Sequence, residues 1–143
     1  MNRIEIFTDG ACRGNPGKGG WGVMIRSNGL EESLYGGDIS TTNNIMELTA
    51  AIKALEHIPK NSDVVLTTDS KYVMQGITEW IKNWKVRNWK TASKKPVLNK
   101  ELWIRLDSLT NLHSIEWKWV KGHSGHRENE IADQLANKGI DEI

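Results

Sequence analysis

The chain is 143 residues long, 38% hydrophobic and 26% charged, with 19 Lys and Arg against 18 Asp and Glu for a net charge of +1. These values fit one globular domain, 1–143, large enough to bury a core, and exclude a disordered, low-complexity or repeat chain. A single cysteine, Cys12, excludes an internal disulfide. No apolar run approaches a membrane span and no signal-type stretch follows Met1, so a cytoplasmic protein with no membrane partner is expected.

Residues 4–8, Ile-Glu-Ile-Phe-Thr, alternate and predict a half-buried first strand. The stretch from Gly10 to Gly20 reads as a loop. Residues 21–26 predict a second strand, Asn28-Gly29 a hairpin turn, and residues 32–35 a third strand. Thr41 or Thr42 can cap a helix reaching His57, with Ile45, Leu48, Ile52 and Leu55 in one stripe; Pro59 stops it. Residues 64–68 predict a buried strand, and a short helix from Ser70 is expected to end at Gly76. A basic helix over 78–89, a polar loop with Pro96, a helix over 99–112, a fifth strand over 115–120 and a last helix over 128–138 follow. Three hairpin-joined strands followed by strand–helix–strand units predict an α/β fold: a five-stranded mixed sheet with helices on both faces.

The small net charge hides an asymmetry. Lys82, Lys85, Arg87, Lys90, Lys94, Lys95 and Lys100 crowd a stretch without a single acid, which leaves the rest of the chain acidic. Trp80, Trp84 and Trp89 interleave with these cations. Indole planes beside ammonium groups suit a nucleic-acid backbone, charge meeting phosphate and rings covering sugar. The plainer reading is an amphipathic helix with a solvated basic face and tryptophans partly in the core.

Asp9 and Asp69 each follow a strand. If those strands lie side by side and parallel, both carboxylates reach one point at the edge where open α/β sheets bind ligands. Carboxylates held together repel, and a divalent cation resolves the repulsion. Oxygen donors without a Cys or His cluster suit Mg²⁺ or Mn²⁺ rather than zinc. Each acid also has an ordinary reading. Asp9 precedes Gly10 and could sit in a turn; Asp69 could cap the helix that begins with Ser70. Glu47 lies about 120° from the centre of its helix's apolar stripe, on a flank where solvated glutamates are common. Asp133 points away from Ile131, Ala132 and Leu135, which are expected to face inward. Gly17 to Gly22 matches G-x-G-x-x-G, but a strand follows it where a dinucleotide site needs a helix. His123 and His126 sit in a Gly-rich loop without further zinc ligands, and a loop His near neutrality can move protons.

Taken in order, several motifs carry a resemblance. Phe7-Thr8-Asp9-Gly10-Ala11-Cys12-Arg13-Gly14-Asn15-Pro16-Gly17 is one; Thr42-Asn43-Asn44 with Met46-Glu47-Leu48 is another. Thr68-Asp69-Ser70-Lys71-Tyr72-Val73 and Val120-Lys121-Gly122-His123-Ser124-Gly125-His126 complete the set. Together the chain resembles bacterial ribonuclease H, type 1, from residue 4 to about residue 138.

The resemblance implies a ribonuclease H-like fold with sheet order 3-2-1-4-5 and strand 2 antiparallel. It implies a monomer that cuts the RNA strand of RNA–DNA hybrids by a two-metal-ion mechanism, leaving 5′-phosphate and 3′-OH ends. Asp9, Glu47, Asp69 and Asp133 would bind two Mg²⁺ ions, for which Mn²⁺ can substitute, and His123 would shuttle a proton. Cys12, Asn15, Asn43, Asn44 and Gln75 match positions that read 2′-OH groups of the RNA strand, as short polar side chains can. Thr42 and Asn99 match a pocket for a DNA-strand phosphate, and Trp80 an aromatic under a DNA-strand sugar. Many relatives carry Arg where this chain has Ser40, which implies a weaker phosphate grip. The segment with Lys82, Trp84, Lys85, Arg87, Trp89, Lys90, Lys94 and Lys95 would hold the hybrid. A DNA-cutting enzyme of the same fold and a non-catalytic hybrid-binding module remain the rival readings.

Overall fold

The computed structural model describes residues 3–122 and 125–143. Its strands are β1 (Ile4–Arg13), β2 (Gly17–Ser27), β3 (Leu30–Thr41), β4 (Asp63–Thr68) and β5 (Ser114–Trp119). Its helices are α1 (Asn43–His57), α2 (Lys71–Gln75), α3 (Ile81–Val86), α4 (Lys100–Thr110) and α5 (Arg127–Asp141), with a π-helical turn, Gly76–Trp80, joining α2 to α3. The sheet order is β3-β2-β1-β4-β5. β2 runs antiparallel to β1 and β3, while β1, β4 and β5 are parallel, as the resemblance implies.

The two faces of β1 and β2 are read from alternate residues. On one face Ile6, Val23 and Ile25 join Leu48, Ile52 and Leu55 of α1 and Trp103, Leu106 and Leu109 of α4 in one buried cluster. On the other, α5 lies on the backbone of β2: a Cβ at Gly22 would collide with the Ala132 carbonyl of α5. The turn between β2 and β3 has Asn28 at φ 56° and Gly29 at φ 78°, as the Asn-Gly pair predicts.

Two expectations are corrected. Gly10 to Gly20 is not a loop; β1 and β2 pair as far as Arg13↔Lys18. Gly10, Gly19 and Gly20 are small because helices rest on the strands there, a close approach that composition alone does not separate from a turn, while Gly14, at φ 83°, is a true turn residue. Likewise β3 runs on to Thr41 through Gly36 and Gly37. α2 closes at Gln75 as expected, with Gly76 as its C-cap, but Gly76 is no left-handed stop. It has ordinary right-handed helical angles, and the chain winds on through the π turn into α3. Gly76 is there because a Cβ would strike the Trp103 ring, and Trp103 is 0% exposed. The glycine makes room for the indole.

Candidate active site

Parallel pairing of β1 with β4 ends at Thr8↔Thr68. The next residue on each strand is an acid, Asp9 and Asp69, so the carboxylates sit where the sheet opens. Asp9 is no turn residue; it pairs with Gly22 inside β1. Nor does Asp69 cap α2. Ser70 does that, its Oγ accepting from the Val73 N–H at 3.1 Å, and Asp69 is left free of the task. Thr42 Oγ1 caps α1 by accepting from the Ile45 N–H at 3.2 Å. This helix start lies against β1 because Gly10 lacks a side chain: a Cβ there would sit 2.5 Å from the Glu47 nitrogen. Glu47 is thereby pressed into the site and is 5% exposed, not on a solvated flank. The sheet edge buries a helix face that the apolar stripe leaves out.

One carboxylate oxygen from each of Asp9, Glu47 and Asp69 can be chosen so that all lie within 4.8 Å of one another. Asp133 faces the same cavity of about 340 Å³ from α5, with Asn43, Asn44, Ser70, Lys71 and Tyr72 on its other walls. Burial, then the charge and hydrogen bonding of Asp69 and the nearness of Asp133, push the Asp9 carboxyl up to about 9. Burial, followed by the charges of Asp9 and Asp69, pushes Glu47 well above its usual range; the Gly10 N–H offsets part of this. Glu47 Oε1 is buried without a hydrogen-bond partner among the described residues. A buried carboxylate oxygen without a donor is costly. All the donors are carboxylate oxygens, a set that fits a hard divalent cation such as Mg²⁺ or Mn²⁺.

The amides stand beside the acids. Asn43 and Asn44 line the cavity, and Asn15 Oδ1 accepts from the Asn43 N–H at 3.1 Å, tying the β1–β2 turn to α1. The Cys12 thiol donates to the Gly14 carbonyl, with S···O 2.8 Å, and borders the Thr41 carbonyl. Gln75 is exposed on α2 and is not among the cavity's walls. Thr42 and Asn99 are both half-buried. Asn99 precedes α4 in a left-handed conformation, φ 60°, and its Nδ2 donates to the Tyr72 hydroxyl at 3.1 Å.

Trp80, Trp84 and Trp89 form a chain of rings with centroids 5.8 and 6.4 Å apart, and Trp84 leans on Trp103 at 5.2 Å. Trp84 and Trp89 pack against the main core. The cations fan outward from this spine: Arg87 and Lys90 line a second cavity of about 220 Å³ with Trp80 and Trp84, and Lys85 pairs with Asp107 at 3.2 Å. Lys82, Lys94 and Lys95 are exposed. This is what the plainer reading of the segment expects. The rings serve the core, and most of the charge faces water.

His123 lies outside the described residues. The chain before it passes against the acids, since a Cβ at Gly122 would sit 2.8 Å from Asp69 Oδ2. His126 caps α5, its Nδ1 accepting from the Asn129 N–H at 3.1 Å.

A family model described as RNase H matches residues 1–141. The chain belongs to the ribonuclease H family. Ribonuclease H of Halorhodospira halophila is 64% identical over 140 residues, spanning 98% of this chain and 94% of its own. Ribonuclease HI of Pseudomonas putida is 59% identical over 140 residues, spanning 98% and 95%. Among solved structures, LC9-RNase H1, a type 1 RNase H with the type 2 active-site motif, superimposes with a TM-score of 0.89 at 34% identity, over 99% of this chain and 74% of that one. LC11-RNase H1 in complex with RNA/DNA hybrid gives 0.73 at 26% identity, over 98% of both chains. As a ribonuclease H the chain is a nuclease, and its acidic cluster is consistent with the divalent metal that the family generally uses.

Sequence reasoning passed over three residues of this ribonuclease H site. Tyr72 accepts from both Asn99 Nδ2 and Trp103 Nε1, linking the cavity wall to the core. Lys71 lines the cavity, and Trp119 donates its Nε1–H to the Asp69 carbonyl at 3.1 Å. Lys71 and Tyr72 stand inside the Asp69 motif, which was the available signal; Trp119 gives none, because its partner lies 50 residues away.

Proposed function

We propose that the chain is a Mg²⁺-dependent endoribonuclease that hydrolyses the RNA strand of RNA–DNA hybrids, working as a one-domain monomer, 1–143, in the cytoplasm. The observation that carries the reading is the close set of Asp9 and Glu47, both buried, with Asp69 and an unpartnered Glu47 oxygen, in a cavity walled by amides. Asp9, Glu47, Asp69 and Asp133 would hold two Mg²⁺ ions, with Mn²⁺ able to substitute. When bound, such a pair supplies an activated water and Lewis-acid stabilisation of the attacking and leaving oxygens of the scissile phosphate.

The chain's own residues orient the substrate. Asn43 and Asn44 at the cavity wall, with Asn15, Cys12 and Gln75 beyond, offer donors and acceptors to 2′-OH groups and so separate RNA from DNA. Thr42, Asn99 and Trp80 would take the DNA strand. Lys82, Lys85, Arg87, Lys90, Lys94 and Lys95, with Trp84 and Trp89, would neutralise phosphates further along. His123 would carry a proton at the leaving group. Contacts to phosphate and sugar carry no base information, so cleavage without sequence preference is expected, leaving 5′-phosphate and 3′-OH ends.

The test is incubation with labelled hybrid, duplex RNA and duplex DNA, each with Mg²⁺ or with EDTA. Cleavage of the hybrid's RNA strand alone, only with metal, is expected. Cleavage of duplex DNA would favour the DNA-cutting rival, and binding without cleavage the non-catalytic one. His123→Ala should slow turnover with KM nearly unchanged; a loss of binding would make His123 a substrate ligand instead.

A further inference from the structure

Arg13 and Lys18 are Cα partners at the tip of the β1–β2 hairpin, so both side chains leave the same face of the sheet. Like charges at directly opposed positions destabilise a strand pair. One of the two is answered: Arg13 pairs with Asp141 at 2.7 Å, and its Nη2 donates to Asn137 Oδ1 at 3.4 Å, both on α5. Lys18 is exposed and makes no ion pair among the described residues. It does not guard a sheet edge either, since β2 lies between β1 and β3. Opposite it β3 bulges: Gly17 pairs with Thr41 and Gly19 with Asp38, which leaves Ile39 and Ser40 across from Lys18. A bulge of this kind bends its strand and re-aims side chains, often beside a site.

The hairpin tip is fixed to the acid cavity. Asn15 Oδ1 accepts from the Asn43 N–H at 3.1 Å, and the Cys12 thiol borders the Thr41 carbonyl at 3.5 Å. Asn43 in turn lines the cavity. Asp9 pairs with Gly22, four residues along β2 from Lys18. At ~3.3 Å per residue that sets Lys18 about 13 Å from the acids. A duplex covers this distance in roughly four base pairs. The basic segment is reached through α2, which packs on β4 and β5, so Lys18 and that segment stand on opposite flanks of the acids.

We propose that Lys18 binds a backbone phosphate of the hybrid about four base pairs from the scissile linkage, on the flank away from the basic segment. This rests on the hybrid-nuclease reading above. The free chain carries the repulsion between Lys18 and Arg13, and a phosphate oxygen at Lys18 relieves it. Arg13, held by α5, keeps its charge but not its freedom, so the contact falls to Lys18. An ammonium on a flexible stem follows a phosphate without reading a base, which leaves the sequence tolerance of the site intact. A duplex gripped only by the basic segment can pivot about that grip. A second contact on the other flank stops the pivot and holds the strand across the acids.

The experiment measures hybrid binding by fluorescence anisotropy with Ca²⁺ across a salt series, and cleavage of the same hybrids with Mg²⁺ locates the scissile linkage. A set of hybrids carries one uncharged methylphosphonate each, walked along either strand. Lys18→Gln is expected to weaken binding about threefold and to make the log–log salt slope shallower by about 0.7–0.9, the value for one neutralised phosphate. Lys18→Arg should keep the slope. One uncharged linkage, roughly four base pairs from the cut, should weaken wild type about as much as Lys18→Gln does and should not weaken Lys18→Gln further. The strand that carries this linkage is the strand Lys18 holds. Without hybrid, Lys18→Gln should raise Tm by about 1 °C at low salt, a gain that high salt removes. An unchanged salt slope overturns the proposal, as do costs that add at every linkage. A lowered Tm also overturns it, because Lys18 would then have a stabilising partner in the folded chain. If wild type binds hybrid without cutting it, the nuclease reading fails while the slope still decides Lys18. If wild type does not bind hybrid, both fail.

Discussion

Asp9 and Glu47 are 4% and 5% exposed and crowd Asp69 at a sheet edge, whereas Lys82, Arg87, Lys90, Lys94 and Lys95 stand in water on a spine of half-buried rings. The first region concentrates charge where water cannot screen it, so burial and then the neighbouring acids raise Asp9 and Glu47. The second spreads charge where salt screens it, so its members act additively and weakly. Chemistry needs the first arrangement and capture of a long anion needs the second. Trp103 joins them, supporting Trp84 on one side and, through its Nε1–H, the hydroxyl of Tyr72, a residue that lines the acid cavity, on the other.

The sharpest way to break the comparison is to remove an acid. Asp9→Asn and Asp69→Asn should each lower kcat about a thousandfold or more, beyond the 10–100-fold typical of an outer-shell partner. Single-turnover cleavage of a labelled hybrid measures it; either variant keeping more than about a few per cent of wild-type activity would deny the acids their metal role.

Next in size is the joint between the regions. Trp103→Ala should destabilise the fold by about 3–5 kcal/mol, since it empties a fully enclosed site under Gly76 and Trp84. Urea melts give the number, and a cost below about 1 kcal/mol would mean the site is not packed as described.

Neutralising Lys85, Arg87 and Lys90 together should raise KM about tenfold and flatten the salt dependence by about 0.9 for each phosphate no longer neutralised, with kcat little changed. Lys85 already pairs with Asp107, so its share should be the smallest of the three. An unchanged slope would leave the segment as solvated surface.

The smallest effect concerns stability and pH. Without metal, Asp9 holds its proton up to about 9, against an ordinary 3.8. Between those values the folded chain binds more protons than the unfolded one, so stability falls as pH rises. Glu47, raised by burial and by Asp9 and Asp69, acts in the same direction. In EDTA, Tm should drop from about pH 5 to about pH 8. Mg²⁺, which binds the folded chain, should remove most of that slope, and Asp9→Asn should reduce it without metal. A Tm that rises with pH in EDTA would show that the acids are not crowded in the free protein.

Much of this was legible beforehand, for identifiable reasons. The alternation in residues 4–8, the Asn28-Gly29 turn and the Thr42 cap are local signals, and local geometry obeys them. The acids after the first and fourth strands pointed to one sheet edge, and the parallel register up to Thr8↔Thr68 brings them there. Glu47 was not legible from periodicity, because its burial comes from a β-strand glycine far away in sequence. Asp133 was not either: it faces the cavity because α5 lies across β1 and β2, which its own helix pattern does not encode.

The chain's pattern of apolar residues, turn dipeptides and motifs determined by itself the element order, the sheet and the family, since each rests on short-range steric and hydrogen-bonding rules or on motifs read directly. Only the tertiary structure decided what the glycines are for. Gly10 reads as a loop residue, Gly76 as a helix end and Gly22 as one more strand position, yet each gives way to a backbone or ring from another element. The same holds for Trp119, whose bond to the Asp69 carbonyl and approach to Lys71 join β5 to the end of β4. A residue's local pattern records which face it prefers, but what approaches that face is settled only when distant segments pack.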